Sequence, residues 1–145
     1  DRVAAGRLVI EVTESVVIDS DPVVTSNLEL AVDLGVRLAM DDFGTGYSSL
    51  TNLKRHPFSV VKVDRDFVDG LGTRPADHAI VEAVVGMAHA LGMRIVAEGI
   101  EQDIQMALLA ELGADCGQGF GIGRPVPLGE LAPPAPAEPA LSGGF

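Results

Sequence analysis

The sequence predicts an α/β protein with one parallel β-sheet. Short runs of β-branched and aliphatic residues alternate along the chain with longer segments of helical period. The short runs are bounded by polar residues or glycine, which is typical of buried parallel strands. Strands and helices in alternation favour right-handed crossovers, and these make neighbouring strands parallel.

Five runs are predicted as strands because each is short, apolar and flanked by polar or turn-forming residues. They comprise residues 8–12, 37–40, 60–63, 94–97 and 116–122. The last of these runs is the least regular, since glycines interrupt it.

The connecting helices have recognisable ends. Asp21 precedes Pro22, so a capping carboxylate and a proline at the first helical position open the first helix, and Gly35 closes it. A second helix is predicted to begin at Asp77, and a third to span residues 103–112.

The helical period also predicts which residues of the third helix face inward. Ile104, Leu108 and Leu112 recur at intervals of four and share one face. Two shorter helical turns are predicted after Ser48 and after Asp66.

Two folds share this order of elements. An open doubly wound sheet is complete with five strands, whereas a (β/α)₈ barrel typically needs about 250 residues. Element spacing does not distinguish a complete sheet from part of a barrel. Beyond residue 131 the chain is rich in proline, alanine and glycine without periodicity, which predicts a disordered tail over residues 132–145 after a folded part over residues 1–131.

Composition narrows the class of function. Lys and Arg number 10 against 21 Asp and Glu, and the net charge of −11 opposes binding to duplex nucleic acid. A single cysteine, Cys116, forms no internal disulfide, as expected for a protein of the reducing cytoplasm. No apolar run approaches the roughly 20 residues of a membrane span. Because the chain begins at Asp1 without a leader, we expect it to be part of a longer protein.

Polar residues follow the apolar part of every predicted strand. The carboxyl ends of parallel strands share one edge of the sheet, where α/β enzymes place their active sites. Two unit charges 4 Å apart repel by roughly 4 kcal/mol at an effective dielectric near 20, so a carboxylate-rich edge requires cations or protons. Hard divalent cations with oxygen ligands fit best. The residues at this edge are Glu11, Glu14, Asp41, Asp42, Lys62, Asp64, Glu98, Glu101 and Gln118.

These residues differ in how strongly they indicate function. One acidic residue after a strand is usually a helix cap or a solvated loop residue, but five successive strands with this feature predict a site. Lys62 lies within the run VVKVD, so we predict that it points into a polar centre and not along the surface. For Glu14 and Glu101, a supporting role beside the site and an ordinary loop contact are both open.

Asp41 and Asp42 begin the most specific segment, DDFGTGYSSL. Two adjacent carboxylates at a strand end can serve two metal ions, and Gly44 and Gly46 let the loop fold back over them. The later glycine run around Gly119 predicts no phosphate-binding loop, because no helix follows it. The histidines lack the spacing of metal ligands and are predicted at the surface: His56, His78 and His89.

Five segments in this order resemble the EAL family of cyclic di-GMP phosphodiesterases. They are EVTES from Glu11, DDFGTGYSSL from Asp41, KVD from Lys62, VAEGIE from Val96 and GADCGQGFGIGRP from Gly113, within about residues 3–128. The family has a TIM-like (β/α)₈ fold. The resemblance therefore implies a partial barrel with about five of the eight β/α units.

The resemblance also implies catalytic roles. Glu11 matches a ligand of a first metal ion, Asp41 a ligand that bridges two metals, and Asp42 and Glu98 ligands of the second. Lys62 matches a residue that orients the attacking water. These residues imply a two-metal site for Mg²⁺ or Mn²⁺ that opens cyclic di-GMP to linear pGpG.

Other matches are supporting residues. Gln118 resembles a glutamine that supports water or substrate, and Glu14 a glutamate that holds the double-aspartate loop, which here includes Gly44, Thr45 and Gly46. Asp64 and Glu101 would contact the metal ligands without binding metal themselves. The family further implies a homodimer and an upstream sensory or GGDEF-type domain, within the cytoplasm or on the cytoplasmic side of a membrane-anchored protein.

Two features of the family site are not found in this chain. The Glu-Ala-Leu segment, whose glutamate binds metal, and an asparagine ligand would both precede Asp1. We therefore expect the parent domain to be the enzyme and this chain alone to be inactive. An inactive cyclic di-GMP receptor or interaction module is the alternative. A receiver domain is disfavoured, because its lysine follows the last strand whereas Lys62 lies in the middle one.

Overall fold

A five-stranded parallel sheet with connecting helices forms the framework of the protein in a computed structural model, which describes residues 4–13, 16, 21–44 and 50–130. In chain order the elements are β1 (Val9–Thr13), α1 (Pro22–Asp33), β2 (Arg37–Phe43), α2 (Leu50–Arg55), β3 (Val60–Val63), α3 (Arg65–Val68), α4 (Pro75–Ala90), β4 (Arg94–Ala97), α5 (Asp103–Leu112) and β5 (Cys116–Gly117). The predicted tail, residues 132–145, lies outside the described residues.

The strand order distinguishes the two folds that the sequence pattern left open. The sheet has the order β1-β2-β3-β4-β5, and every pair is parallel. A doubly wound sheet reverses its strand order at a switch point, whereas successive neighbours joined by right-handed crossovers keep all helices on one face. The described sheet is therefore an arc of a barrel.

The apolar core lies between this sheet and its helices. Because side chains alternate across a strand, every second residue of β2, β3 and β4 points toward the helices. These residues are almost completely buried: Leu38, Met40, Val61, Val63, Ile95 and Ala97. Helix α4 adds Val81, Val85 and Ala88 to the same core. The opposite face of the sheet, which is the inside of the arc, carries the polar residues.

Three strands differ from the sequence prediction in their bounds. β1 is displaced by one residue, and β2 continues through Asp41 and Asp42 to Phe43. β5 ends at Gly117, whereas a strand was predicted over residues 116–122. The chain turns there instead, because the amides of Ile122 and Gly123 donate to the carbonyl of Gly119.

The predicted helices are present with small differences at their ends. α4 begins at Pro75, two residues before the predicted start at Asp77, which lies in its first turn. Both short helical turns form, as α2 and α3. Within the described residues, no helix combines the length and the hydropathy that crossing a bilayer requires.

The inward face predicted for α5 is wrong at Ile104, which is 53% exposed, while Gln105 and Leu109 are buried. Gln105 is buried because its side chain accepts hydrogen bonds from the amides of Glu101 and Gln102 at 2.8 and 2.9 Å. Its side-chain nitrogen donates to the carbonyl of Val68 at 3.3 Å. A polar residue at the start of the helix thus takes a core position by capping it.

The surface position predicted for the histidines is wrong for His56. Its exposure is only 5%, and its ring packs edge-on against Phe58 with centroids 6.2 Å apart. His78 is partly buried, and His89 is exposed as predicted. His89 Nε2 lies 3.0 Å from Asp115, whose carboxylate also accepts the amide of Ile95 at 2.7 Å.

Candidate functional site

Lys62 lies at the centre of the inside face, and its ammonium contacts carboxylates from three other strands or strand ends. Nζ is 2.8 Å from Glu11, 2.9 Å from Asp41 and 2.8 Å from Glu98. Parallel pairing explains the convergence, because β1, β2 and β4 end at the same edge as β3. The prediction that Lys62 points into a polar centre is confirmed, since the residue is only 6% exposed.

The surroundings of Lys62 favour its charged form. Burial alone lowers the pKa of the ammonium, but its contacts with Glu11, Glu98 and Asp41 outweigh that effect and hold the pKa well above the ordinary value. Three carboxylates face one ammonium, so the centre keeps an excess of negative charge. Further positive charge would therefore be stabilised here.

Asp41 and Asp42 both reach the site, although adjacent residues of a regular strand point to opposite faces. Asp42 has φ of 54°, and the pairing of β2 with β3 is irregular between Met40 and Phe43. Few residues other than glycine adopt this backbone region, and such exceptions occur often at functional sites. This local distortion is what places two neighbouring carboxylates on one side.

Asp41, Asp42 and Glu98 form a group that fits a divalent cation. Their ligand oxygens lie within 4.8 Å of one another. Two negative charges at that distance repel by roughly 3.5 kcal/mol at an effective dielectric near 20. Burial, followed by the charges of Asp41 and Asp64, raises the pKa of Asp42. Oxygen-only donor sets of this kind suit Mg²⁺, Mn²⁺ or Ca²⁺.

A buried oxygen of Asp41 supports the same interpretation. Oδ1 lies 2.9 Å from the Lys62 ammonium, and no other group of the described residues donates a hydrogen bond to it. A carboxylate oxygen can accept from more than one partner, so a metal cation would find an open coordination position on this buried oxygen beside the ammonium. The residues present therefore fit a metal site.

Two carboxylates from the sequence prediction lie beside this group and not within it. Asp64 caps α3 and accepts the amide of Asp66 at 2.8 Å. Glu101 forms an ion pair with Arg65 at 2.9 Å. Asp64 is thus a helix cap that also adds negative charge near Asp42.

Gln118 lies at the junction of two cavities. One cavity of about 310 Å³ is open on the inside of the sheet and is lined by Gln118 together with Glu11 and Lys62. The other, of about 270 Å³, lies at the rim and is lined by Gln118 together with Glu98 and Phe120. Gln118 is held by its backbone, which donates to Ala97 and accepts from Ile100.

The remaining predicted site residues concern the loop after β2. Glu14, Thr45 and Gly46 lie outside the described residues. Gly44 is described and has φ of 98°, with a Cβ at this position falling 3.0 Å from the ring of Phe67. Glycine is therefore favoured at this point of the loop by the backbone conformation, and a Cβ would also crowd the Phe67 ring.

Sequence reasoning missed two residues at the rim. Arg65 lines the 270 Å³ cavity and pairs with both Asp69 and Glu101. Phe120 lines the same cavity although it lies in the glycine run that was set aside. The available signal in the sequence was an aromatic residue two positions after Gln118.

Comparisons with known proteins agree on one family. A sequence model of the EAL domain matches residues 1–125. The bifunctional diguanylate cyclase/cyclic di-GMP phosphodiesterase MucR of Pseudomonas aeruginosa is 44% identical over 125 residues, which are 86% of this chain and 18% of MucR.

Two solved structures extend the comparison. The PaMucR phosphodiesterase in complex with c-di-GMP has a TM-score of 0.83 and 42% identity, covering 90% of this chain and 53% of that one. A manganese/cyclic di-GMP complex of Klebsiella pneumoniae BlrP1 has a TM-score of 0.76 and 36% identity, covering 81% of this chain and 30% of that one. The chain therefore spans about half of the solved MucR phosphodiesterase.

Proposed function

The chain belongs to the EAL domain family, and on that premise we propose that it forms part of a metal-dependent phosphodiesterase that opens cyclic di-GMP to linear pGpG. One observation carries the proposal: Lys62 and the carboxylates of Glu11, Asp41 and Glu98 meet within 2.9 Å at one edge of the sheet. The names of the matched proteins, which include a c-di-GMP complex, support the substrate.

The metal ligands in this proposal are Glu11, Asp41, Asp42 and Glu98. Mg²⁺ or Mn²⁺ held by them would supply a nucleophilic hydroxide and an electrophile for the phosphate oxygens. The fit of the carboxylates and the manganese complex of BlrP1 both support this assignment.

Lys62 and Gln118 act on the reacting groups. The Lys62 ammonium donates a hydrogen bond to the attacking water and fixes its direction, while the Gln118 amide holds water or substrate beside it. The water oxygen forms a bond to phosphorus as the bond from phosphorus to the 3′ oxygen breaks. The proton that the attacking water gives up is balanced by the proton that the released 3′ oxygen takes up, so one water is consumed and the product is the linear dinucleotide.

The setting of the domain is part of the same proposal. MucR combines a diguanylate cyclase with a phosphodiesterase in one protein, which supports an upstream GGDEF-type domain here. We further propose a cytoplasmic homodimer, with Glu14 holding the double-aspartate loop and residues 1–131 forming the folded part.

The test is hydrolysis of cyclic di-GMP by the full-length protein, followed by chromatography of the products. We expect pGpG to form when Mg²⁺ or Mn²⁺ is present. When EDTA removes the metal, no pGpG should form. Thermal melting gives a second readout, since metal that relieves carboxylate repulsion should raise the unfolding midpoint. Binding without hydrolysis at saturating metal would instead identify an inactive receptor.

A further inference from the structure

Asp115 lies at the end of the sheet opposite the candidate site, where β4 and β5 begin. Its carboxylate accepts the amide of Ile95 at 2.7 Å and lies 3.0 Å from Nε2 of His89, which belongs to the last turn of α4. Nε of Arg94 is 4.0 Å from the same carboxylate. One side chain thus connects the first residues of β4 with α4 and with the residue that precedes β5.

The Ile95 amide faces β5 and has the Asp115 side chain as its partner. The amide of Arg94 donates to the Ser59 carbonyl, on the β3 side, and successive amides of a strand point to opposite neighbours. Ile95 is completely buried, so its amide requires a partner on the β5 side. Because β5 begins only at Cys116, the Asp115 carboxylate takes the place of a backbone carbonyl there. The side chain therefore continues the pairing of β4 with β5 by one step.

The end of α5 brings Asp115 to this position. Gly113 has φ of 89°, and the amide of Ala114 donates to the carbonyl of Leu109 at 2.9 Å, so a left-handed glycine closes the helix. Only these two residues separate α5 from Asp115. The hydrogen bond from the Ile95 amide, followed by that from His89, lowers the pKa of Asp115 and favours the carboxylate as the acceptor.

The register of β5 decides the direction in which Gln118 points. β5 pairs with β4 through two residues, Cys116 opposite Val96 and Gly117 opposite Ala97. Alternate residues of a strand share a face, and both Cys116 and Gln118 line the cavity on the inside of the sheet. A slip of one residue would turn Gln118 away from that cavity. Few backbone hydrogen bonds oppose such a slip in so short a strand, so a contact outside β5 contributes to its register.

Asp115 itself lies away from the reacting groups. At about 3.3 Å per residue, the three steps along the chain place it roughly 10 Å from Gln118. It lines a different cavity, of about 160 Å³, between α5 and β5, together with Ile100 and Leu109. Any effect of Asp115 on the reaction is therefore exerted through the residue that its strand carries to the site.

We propose that Asp115 is a positioning residue for Gln118: by accepting the Ile95 amide it fixes the register of β5 against β4 and directs the Gln118 side chain toward the proposed reaction centre. This inference rests on the proposed function, in which Gln118 holds water or substrate. His89 and Arg94 contact the same carboxylate and fix its direction.

The first experiment is a double-mutant cycle in the full-length protein. We expect Asp115→Ala to lower kcat for cyclic di-GMP about 10-fold to 100-fold, because a small displacement of a reacting group has an effect of this size. In protein that already carries Gln118→Ala, the same substitution should lower kcat less than about twofold, because the group that Asp115 positions is gone. A merely structural role would lower kcat equally in both backgrounds.

Two further variants isolate the hydrogen bond to Ile95. Asp115→Asn keeps an acceptor for the amide and should retain kcat within about threefold. Asp21→Ala is the matched control, because the Asp21 carboxylate also accepts a backbone amide, that of Val23 at 2.9 Å, but at the start of α1. It should lower the unfolding midpoint without changing kcat. Should Asp115→Ala not fold, Asp115→Ser, whose side chain is one atom shorter than that of Asp, replaces it in the cycle.

The outcomes separate this inference from the proposed function. Equal losses of kcat in the two backgrounds, wild-type kcat in folded Asp115→Ala, or an Asp115→Asn as slow as Asp115→Ala would each overturn the positioning role and leave the proposed function intact. Wild-type protein that binds cyclic di-GMP without hydrolysing it would contradict the phosphodiesterase, and the same cycle on the dissociation constant would then decide the role of Asp115. Wild-type protein that does not bind cyclic di-GMP with or without metal would overturn both proposals.

Discussion

Lys62 is the residue on which the site depends electrostatically. Its ammonium is buried, and the carboxylates of Glu11, Asp41 and Glu98 surround it. Removing this ammonium would leave the buried carboxylates without a compensating charge. The loss of stability on removing one partner is larger than the net stability that a buried ion pair contributes. Lys62 thus serves the fold as well as the proposed chemistry.

A first prediction concerns catalysis by this ammonium. In the full-length protein, Lys62→Ala should lower kcat for cyclic di-GMP at least about 100-fold, because a group that orients the attacking water acts mainly in the transition state. KM should change much less. Lys54→Ala is the matched control, since Lys54 is an exposed lysine at the end of α2. Steady-state kinetics measure both, and equal kcat in the two variants would contradict the assigned role.

A second prediction concerns His56 and pH. Burial, followed by the charge of Arg55, lowers the pKa of His56 below its ordinary value of about 6.5. As pH falls through 6.5, the unfolded chain binds a proton that the folded chain does not. Stability therefore decreases by at most about 1.4 kcal/mol per pH unit until the folded pKa is reached, and it is unaffected well above pH 6.5.

The variant that tests this effect is His56→Leu, which removes the titrating ring from an apolar site. Denaturant unfolding of the full-length protein between pH 5 and pH 8 should show a shallower loss of stability for the variant than for wild type. Phe58→Leu, which alters the same apolar site without removing a titrating group, should keep the wild-type slope. Parallel curves for wild type and His56→Leu would contradict the prediction.

At the scale of elements, the sequence predicted the site residues best at the ends of regular strands. Glu11, Lys62 and Glu98 each follow an apolar run, and parallel strands bring such ends together whatever the detailed packing is. The convergence of Asp42 could not be predicted in this way. It depends on a left-handed backbone and an irregular pairing, which the alternation of side chains contradicts.

Elsewhere the local pattern was outweighed by particular contacts. The period of α5 predicted a buried Ile104, yet the cap formed by Gln105 turns a polar side chain inward. The run after Gly117 was predicted as strand, yet the chain turns back at Gly119. In both places the deciding hydrogen bonds join residues three or four apart, in a helix cap and in a turn, and the spacing of apolar residues carries no information about them.

The junction between the loops after β4 and β5 gives a prediction at this scale. Gly119→Ala should destabilise the protein by about 2 kcal/mol or more, because the added Cβ collides with the backbone of Ile100. That backbone cannot move without breaking its hydrogen bonds with the Gln118 carbonyl and the Gly121 amide. Cyclic di-GMP turnover should fall as well, since Gln118 is displaced.

The matched control is Gly123→Ala in the same loop, where a Cβ meets no atom within 4 Å. It should change the free energy of unfolding by less than about 0.5 kcal/mol. Chemical denaturation of both variants measures the difference. Similar stability of the two would show that the packing of Gly119 against Ile100 does not hold the loops together.

At the scale of the molecule, the two faces of the sheet have different roles, one in stability and one in the candidate site. The face toward the helices is apolar and provides the core, whereas the inside face carries Lys62 and the carboxylates. A net charge of −11 adds to the negative potential of this site. Bound divalent cations would therefore link the charge of the site to the stability of the whole chain.

The described sheet also has two open edges, and this leads to the last prediction. Among the described residues β1 pairs only with β2, and β5 only with β4. At the β1 edge the apolar residues Leu8, Val9 and Ile10 are 42–45% exposed. An unpaired strand edge with apolar side chains is a template for pairing with another chain.

Residues 1–145 produced alone should therefore self-associate through β1 and should not hydrolyse cyclic di-GMP, because the inside face remains open to water. Light scattering after size-exclusion chromatography should show a mass that rises with concentration. Ile10→Lys places a charge on the edge and should reduce the association. Ile104→Lys, at an exposed isoleucine of α5 away from that edge, should leave it unchanged. A wild-type chain that stays monomeric at all concentrations would contradict the prediction.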